Sequence, residues 1–87
     1  MDIKQVLDSW SSSDATFVIR AQDGFMVIEG SDTAIRSFGE LLVSMSNEIR
    51  CGLSLSPTGV GSELFAEGST MGVYVHQLPC NVEHPVP

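Results

Sequence analysis

Apolar residues near the N-terminus recur at the spacing of one helical face. Between residues 2 and 10 they lie three, four and seven positions apart, at Ile3, Val6, Leu7 and Trp10. This spacing predicts a short amphipathic helix that ends at the serine run 11–13. So short a helix is marginally stable alone, and its apolar face must therefore dock on the rest of the domain.

The clearest local pattern is a β-hairpin between Ala15 and Glu29. Two runs rich in β-branched and aromatic residues, 15–20 and 25–29, lie on either side of Asp23-Gly24. An Asp-Gly pair in a two-residue loop predicts a type I′ turn. That turn fixes a register in which the opposed pairs are Gln22 with Phe25, Arg20 with Val27, and Val18 with Glu29.

Alternation along this hairpin divides its side chains between two faces. The inner face is wholly apolar and is assigned to the core, with Phe17, Ile19, Ala21, Met26 and Ile28. The outer face mixes apolar and charged groups, which are Thr16, Val18, Arg20, Phe25, Val27 and Glu29. Arg20 and Glu29 are diagonal neighbours there, and we expect them to form an ion pair across the strands.

The strongest helical pattern covers residues 32–49, where apolar residues recur in steps of three and four. The segment Gly30-Ser31-Asp32 provides an N-cap for this helix. Arg50 follows near the carbonyl end of the helix, where a cation is favoured.

Strand patterns return after this helix. Residues 53–56 alternate Leu and Ser, residues 63–67 are a possible short strand, and residues 71–78 are the last strand. The resulting order, α-β-β-α-β-(β)-β, predicts one α+β domain over residues 1–79 and a loose tail over residues 80–87. We expect one antiparallel sheet of four to five strands, with the long helix on one face and the short N-terminal helix as an addition.

This arrangement predicts a core and leaves a second sheet face. The expected core is Phe17, Ile19, Met26, Ile28, Ile35, Phe38, Leu41, Leu42, Met45, Leu53, Leu55, Val73 and Val75. The other face exposes Val18, Phe25, Val27 and Tyr74 together. We expect a contiguous apolar patch of that kind to be covered by another element or another chain. Either the N-terminal helix covers the patch, or it meets another chain.

Charge then narrows the classes of partner. The chain has 11 acidic and 4 basic residues and a net charge of -7. Phosphate contacts require clustered Lys and Arg, so nucleic acid and anionic membranes are not expected partners. The first residues lack a basic start and a long apolar run, which predicts a cytoplasmic protein. An acidic surface suits a basic protein partner, or serves only to keep the protein soluble.

The two cysteines, Cys51 and Cys80, are too few for a disulfide scaffold. In a reducing compartment we expect two unpaired structural thiols. The alternative is that they face each other at the open end of a β-meander.

No arrangement of residues points to catalysis, to a metal or to a cofactor. His76 is expected on a strand surface, and no partner at a suitable spacing makes it a base. The stretch Gly59-Val60-Gly61-Ser62 is not followed by the Lys and helix that a phosphate-binding loop requires. We therefore predict a protein that is not an enzyme.

The stretch from Met26 to Leu78 resembles the thirty-second immunity-protein family, small bacterial proteins encoded beside polymorphic toxins. The matching segments are Val27-Ile28-Glu29-Gly30-Ser31, the helix through Leu41-Leu42, Leu53-Ser54-Leu55-Ser56-Pro57, and Glu67-Gly68-Ser69 followed by Gly72-Val73-Tyr74-Val75. The chain departs from the family where Leu53 and Ser54 replace histidines of the alternating strand, and in having the N-terminal helix. The resemblance implies an inhibitor that binds a toxin domain directly, and no catalytic residue carries over.

Taken together, the sequence predicts a small acidic protein-binding module that acts through its surface. The alternative is a homodimeric structural or accessory protein whose exposed sheet face is its self-interface. The candidate contact residues combine acidic side chains with aromatic and aliphatic anchors, and they are Val18, Phe25, Val27, Glu29, Glu63, Glu67, Tyr74 and His76.

Overall fold

The fold is α+β, as predicted, and contains two helices and two small antiparallel sheets. A computed structural model describes residues 1–48 and 51–80. In chain order the elements are α1 (Ile3–Ser12), β1 (Phe17–Gln22), β2 (Phe25–Gly30), α2 (Asp32–Ser46), β3 (Gly52–Leu55), a 3₁₀ turn (Ser62–Leu64) and β4 (Val73–His76). Neither helix has the length and apolar character needed to cross a membrane, as far as the described residues go.

The single sheet of four to five strands is not confirmed, because the strands form two separate pairs, β1–β2 and β3–β4. Residues 63–67, the possible extra strand, instead begin within the 3₁₀ turn and supply one bridging residue. Phe65 forms a parallel bridge to Phe17, and the N–H of Ala66 donates to the carbonyl of Phe17 at 2.8 Å. The chain after β3 thus runs along β1 without forming a full ladder.

Helix α1 does not cover the outer face of the hairpin, so the first of the two alternatives for that face does not hold. The helix packs on α2, and its residues Ile3, Val6 and Trp10 lie in the main core. The indole of Trp10 meets the ring of Phe17 edge to face at 4.9 Å, and its N–H donates to the carbonyl of Ala15 at 2.9 Å. The apolar face of α1 is therefore buried in the core, and the buried indole N–H has the hydrogen-bond acceptor that it requires.

Local capping explains where the helices begin. Asp2 caps α1 by accepting from the backbone N–H of Gln5, whose side chain accepts in return from the N–H of Asp2, which forms a capping box. The hydroxyl of Ser31 accepts from the N–H of Ala34, which confirms the predicted cap of α2. Ile49 and Arg50, assigned to the end of this helix from the sequence, lie outside the described residues.

Four residues assigned to the core are exposed, namely Ala21, Met26, Ile35 and Leu42. Met26 points to the predicted inner face, but it lies next to the turn, beyond the reach of the helices. Ile35 and Leu42 each follow a fully buried residue of α2, so they are one position around the helix from its core-facing stripe. The remaining predicted core residues are buried or packed against the core.

The cysteines form a disulfide, so the prediction of two free thiols was wrong and the alternative pairing holds. Cys51 precedes β3 and Cys80 follows β4, with their Cα atoms 5.6 Å apart. The N–H of Gln77 donates to the carbonyl of Cys51 at 2.7 Å, which continues the pairing of the two strands to this point. Cys80, assigned to the start of a loose tail, is therefore held to β3, while residues 81–87 lie outside the described part of the chain.

Replacing Cys51 and Cys80 together by Ser should lower the free energy of unfolding by about 3 kcal/mol, because the bond closes a loop of 29 positions in the unfolded chain. Urea titration followed by circular dichroism measures this loss. Reductant should destabilise the wild type by a similar amount and leave the double variant unchanged. Equal stability of the two proteins under oxidising conditions would contradict the role of the bond.

Trp10→Ala should lower the free energy of unfolding by roughly 3–5 kcal/mol, because a fully buried indole is lost from the core. Val60→Ala, at an exposed loop position, is the matched control and should change stability by less than about 0.5 kcal/mol. Urea titration followed by circular dichroism again gives both values. A small loss for Trp10→Ala would mean that α1 is not an integral part of the core.

Candidate functional site

The β1–β2 hairpin has the turn and the register that the sequence predicts. Asp23 and Gly24 both have positive φ, 51° and 83°, as a type I′ turn requires. The paired Cα positions include Gln22 with Phe25, Arg20 with Val27, and Val18 with Glu29. The hairpin is therefore a defined ladder up to its turn.

The end of this hairpin projects from the domain. We call residues 21–26 the hairpin tip, and all six of them are exposed. Phe25 and Met26 are adjacent and point to opposite faces of β2, with 71% and 56% of their surface accessible. Two large apolar side chains held on a strand outside the core are the most prominent candidate for a contact surface.

Charged groups on the outer face lie beside the hairpin tip. The guanidinium of Arg20 donates to Glu29 Oε1 through Nε at 3.0 Å and Nη2 at 2.8 Å, and it also donates to the side chain of Gln22. Both ends of the pair are partly in water, so its contribution to stability is small. Its main effect is to hold the Arg20 and Glu29 side chains across the middle of the outer face, opposite Val27 and Val18 in the ladder.

Val18 and Val27 lie on this outer face as predicted, but both are half-buried, unlike Phe25. Tyr74 and His76 lie on β4, in the other sheet, so the predicted patch of Val18, Phe25, Val27 and Tyr74 does not form one sheet face. Tyr74 lies against Gly52, where any Cβ would come within 2.6 Å of its hydroxyl. The position of Tyr74 is thus explained by packing across β3.

Glu63 and Glu67 are exposed acids on the segment that follows β3. Glu63 lies in the 3₁₀ turn. Glu67 lies in the stretch of chain that runs along β1, between Ala66 and Ser69, which both bond to that strand. Across the hairpin stem the order is therefore this stretch, β1 and β2, so that Glu67 and Glu29 lie on opposite sides of β1.

Elsewhere on the surface of the described residues, few side chains suited to catalysis or metal binding lie together. Four surface depressions of about 370–500 Å³ each contain at most one carboxylate and no histidine among their described lining residues. No group of three or more His, Cys, Asp or Glu side chains suited to a metal occurs within residues 1–48 and 51–80. Lys4 has its pKa raised by a hydrogen bond to Asp8 and by the charge of that carboxylate, on an exposed face of α1.

Met26 is an exposed candidate for the contact surface that sequence reasoning missed. Alternation correctly assigned Met26 to the inner face of the hairpin. The apolar side chains of that face are buried only where another element packs on them. The available signal was its position, one step from the residue pair that closes the turn, because the tip of a hairpin extends furthest from the helices.

Comparison of the chain with models of known protein families, with curated proteins and with solved structures gave no match in any of the three.

Gly24→Ala should destabilise the hairpin by roughly 1 kcal/mol, because a Cβ is disfavoured at its φ of +83°. Gly39→Ala is the matched control in α2, where a Cβ meets nothing within 4 Å, and it should stabilise by up to about 1 kcal/mol. Thermal unfolding of both variants measures the difference. Equal effects of the two changes would contradict the type I′ turn.

Proposed function

We propose that this chain is a non-enzymatic protein-binding module whose contact element is the hairpin tip. The observation that carries the proposal is the exposure of Phe25 and Met26, on opposite faces of one ordered strand. A rigid aromatic anchor loses little conformational entropy on binding, and such anchors dominate the energy of many interfaces.

The partner that fits this surface is a basic protein domain. The chain has a net charge of -7, and Glu29 and Glu67 lie on the two sides of the hairpin stem. A negative field attracts a basic partner and speeds encounter, while the apolar tip supplies contact area. The resemblance of residues 26–78 to immunity proteins makes a toxin domain the partner class we propose, with neutralisation by direct occlusion.

A cytoplasmic location remains a prediction from the sequence, and the Cys51–Cys80 disulfide counts against it. Disulfides persist in oxidising compartments and are rare in a reducing cytosol. We therefore propose that the mature protein acts where the bond is maintained.

A homodimeric accessory protein is the second candidate function. The centre of the outer face carries the Arg20–Glu29 ion pair, which suits a dry self-interface poorly. The observation that favours a homodimer is instead the outer edge of β2, which no described backbone group pairs with.

The test of the leading proposal is co-expression with a toxin-like protein encoded beside this chain, measuring growth and co-purification. Wild type should protect and co-purify, and Phe25→Ala should weaken the complex by about tenfold or more, because it removes an anchor worth upwards of 1 kcal/mol. Val60→Ala is the control, since Val60 is 73% exposed in a loop apart from the hairpin.

The outcomes separate the parts of this proposal. A wild-type chain that neither binds nor protects contradicts the immunity function. Equal affinity of Phe25→Ala and Val60→Ala contradicts the role of the hairpin tip. Binding that does not weaken as salt rises contradicts attraction of a basic partner.

A further inference from the structure

The direction of each backbone group in the hairpin follows from its turn. In a two-residue hairpin the residues that close the loop, here Gln22 and Phe25, exchange both hydrogen bonds. Bonded pairs then alternate along the ladder, so Phe25, Val27 and Glu29 direct their N–H and C=O groups toward β1. Met26 and Ile28 direct theirs away from β1, to the outer edge of β2.

The opposite edge of the hairpin confirms this alternation. Phe17 and Ile19 oppose Gly30 and Ile28, so their backbone groups point outward from β1. Those groups are occupied, because Ala66 and Thr70 donate to the two carbonyls at 2.8 and 2.9 Å. The N–H of Ile19 donates to the hydroxyl of Ser69 at 3.3 Å. One edge of the hairpin is therefore covered by the chain itself.

The edge of β2 has no such cover among residues 1–48 and 51–80. The outward N–H groups of Met26 and Ile28 donate to no described residue, and their C=O groups accept from none. Two of the devices that protect edges are missing from this strand, since its sequence, Phe25 to Gly30, contains neither Lys nor Pro, and its one charged side chain, Glu29, is bonded to Arg20. An ordered strand with free backbone groups is a template for another strand.

We propose that this edge pairs antiparallel with β2 of a second copy of the chain, around a twofold axis through Val27. The outward groups belong to Met26 and Ile28, so a symmetric pairing about Val27 sets Met26 opposite Ile28 of the second copy, twice. Both residues lie on the inner face, so the exposed Met26 side chain gains an apolar neighbour. Strand β2 is thus complementary to itself in backbone hydrogen bonding.

Charge at this edge does not oppose the approach of a second copy. Residues 25–28 carry no charge, and the carboxylate of Glu29 is already bonded to Arg20 of its own hairpin. Two edges can therefore approach without placing unpaired acids against each other. The charge of -7 on each copy still repels at longer range, so added salt should strengthen the dimer. A complex with a basic partner should respond to salt in the opposite direction.

The dimer gives the hairpin a larger sheet. Two isolated strands are marginally stable, whereas the pairing creates four strands in the order β1, β2, β2 and β1. Val27 of the two copies would meet on the outer face, with both Phe25 side chains on the same side. The dimer uses the strand edge and leaves Phe25 exposed, but it shares Met26 with the contact element of the proposed toxin complex.

Sedimentation velocity across a range of protein and salt concentrations tests the oligomeric state. Wild type should be a dimer whose dissociation constant falls as salt rises. Met26→Pro removes only an outward N–H, because the bonds to β1 belong to Phe25 and Val27, and Pro is tolerated on an edge strand. It should weaken the dimer by roughly tenfold or more, since the symmetric contact loses two hydrogen bonds.

Met26→Thr is the matched control, since it keeps the N–H and suits a strand. It should retain most of the dimer, and circular dichroism should show that both variants fold. A wild type that stays monomeric at its highest soluble concentration overturns the proposal. So does a dimer that Met26→Pro and Met26→Thr affect equally, because such a dimer uses another surface.

Cross-linking tests the register without depending on Met26→Pro. In the proposed pairing, Val27 lies opposite Val27 of the second copy. The two residues form a pair without hydrogen bonds, with Cα atoms about 4.5 Å apart. Val27→Cys should therefore form an intermolecular disulfide under mild oxidation, and Met26→Cys should not. Peptide mapping must show the bond at position 27 with Cys51–Cys80 intact. A cross-link at position 26 alone, or at neither position, contradicts the twofold axis through Val27.

Discussion

Four segments of the chain meet at the ring of Phe17, and the rest of the fold depends on this cluster. Trp10 from α1, Phe38 from α2 and Phe65 from the chain after β3 have ring centroids 4.9, 5.4 and 4.8 Å from it. A domain of this size has little core to spare, so the burial of these rings provides much of its stability. Each segment is fixed by its contribution to this one cluster.

The place of this cluster explains why one end of the hairpin is free. Phe17 lies at the start of β1 and draws both helices to the base of the hairpin. Residues 21–26, at the other end, are exposed, and the type I′ turn keeps their ladder regular. The same geometry therefore produces a stable stem and an exposed tip, without a separate element to present Phe25 and Met26.

The second half of the chain is held in place by a disulfide and by hydrogen bonds to β1, because it does not join the hairpin in one large sheet. Strands β3 and β4 are four residues each, and the Cys51–Cys80 disulfide fixes their open ends together. The segment between them lies along β1, where Ala66 and Thr70 bond to its outward carbonyls. This segment covers one edge of the hairpin, whereas no residue in the described part of the chain pairs with the other edge, on β2.

The sequence pattern correctly predicted those elements that depend on residues close together in the chain. The spacing of Ile3, Val6 and Trp10 defined α1, Asp23-Gly24 fixed the hairpin register, and Ser31 marked the start of α2. Phe25 was identified as a candidate contact because the alternation of side chains along the strand assigns it to the outer face. Tertiary structure alone decided where α1 docks, that the cysteines pair, that the strands form two sheets and that Met26 is exposed. These outcomes depend on which helix and strand faces pack together in a small core. The spacing of apolar residues shows which side chains share a face, but it does not show which element packs on that face.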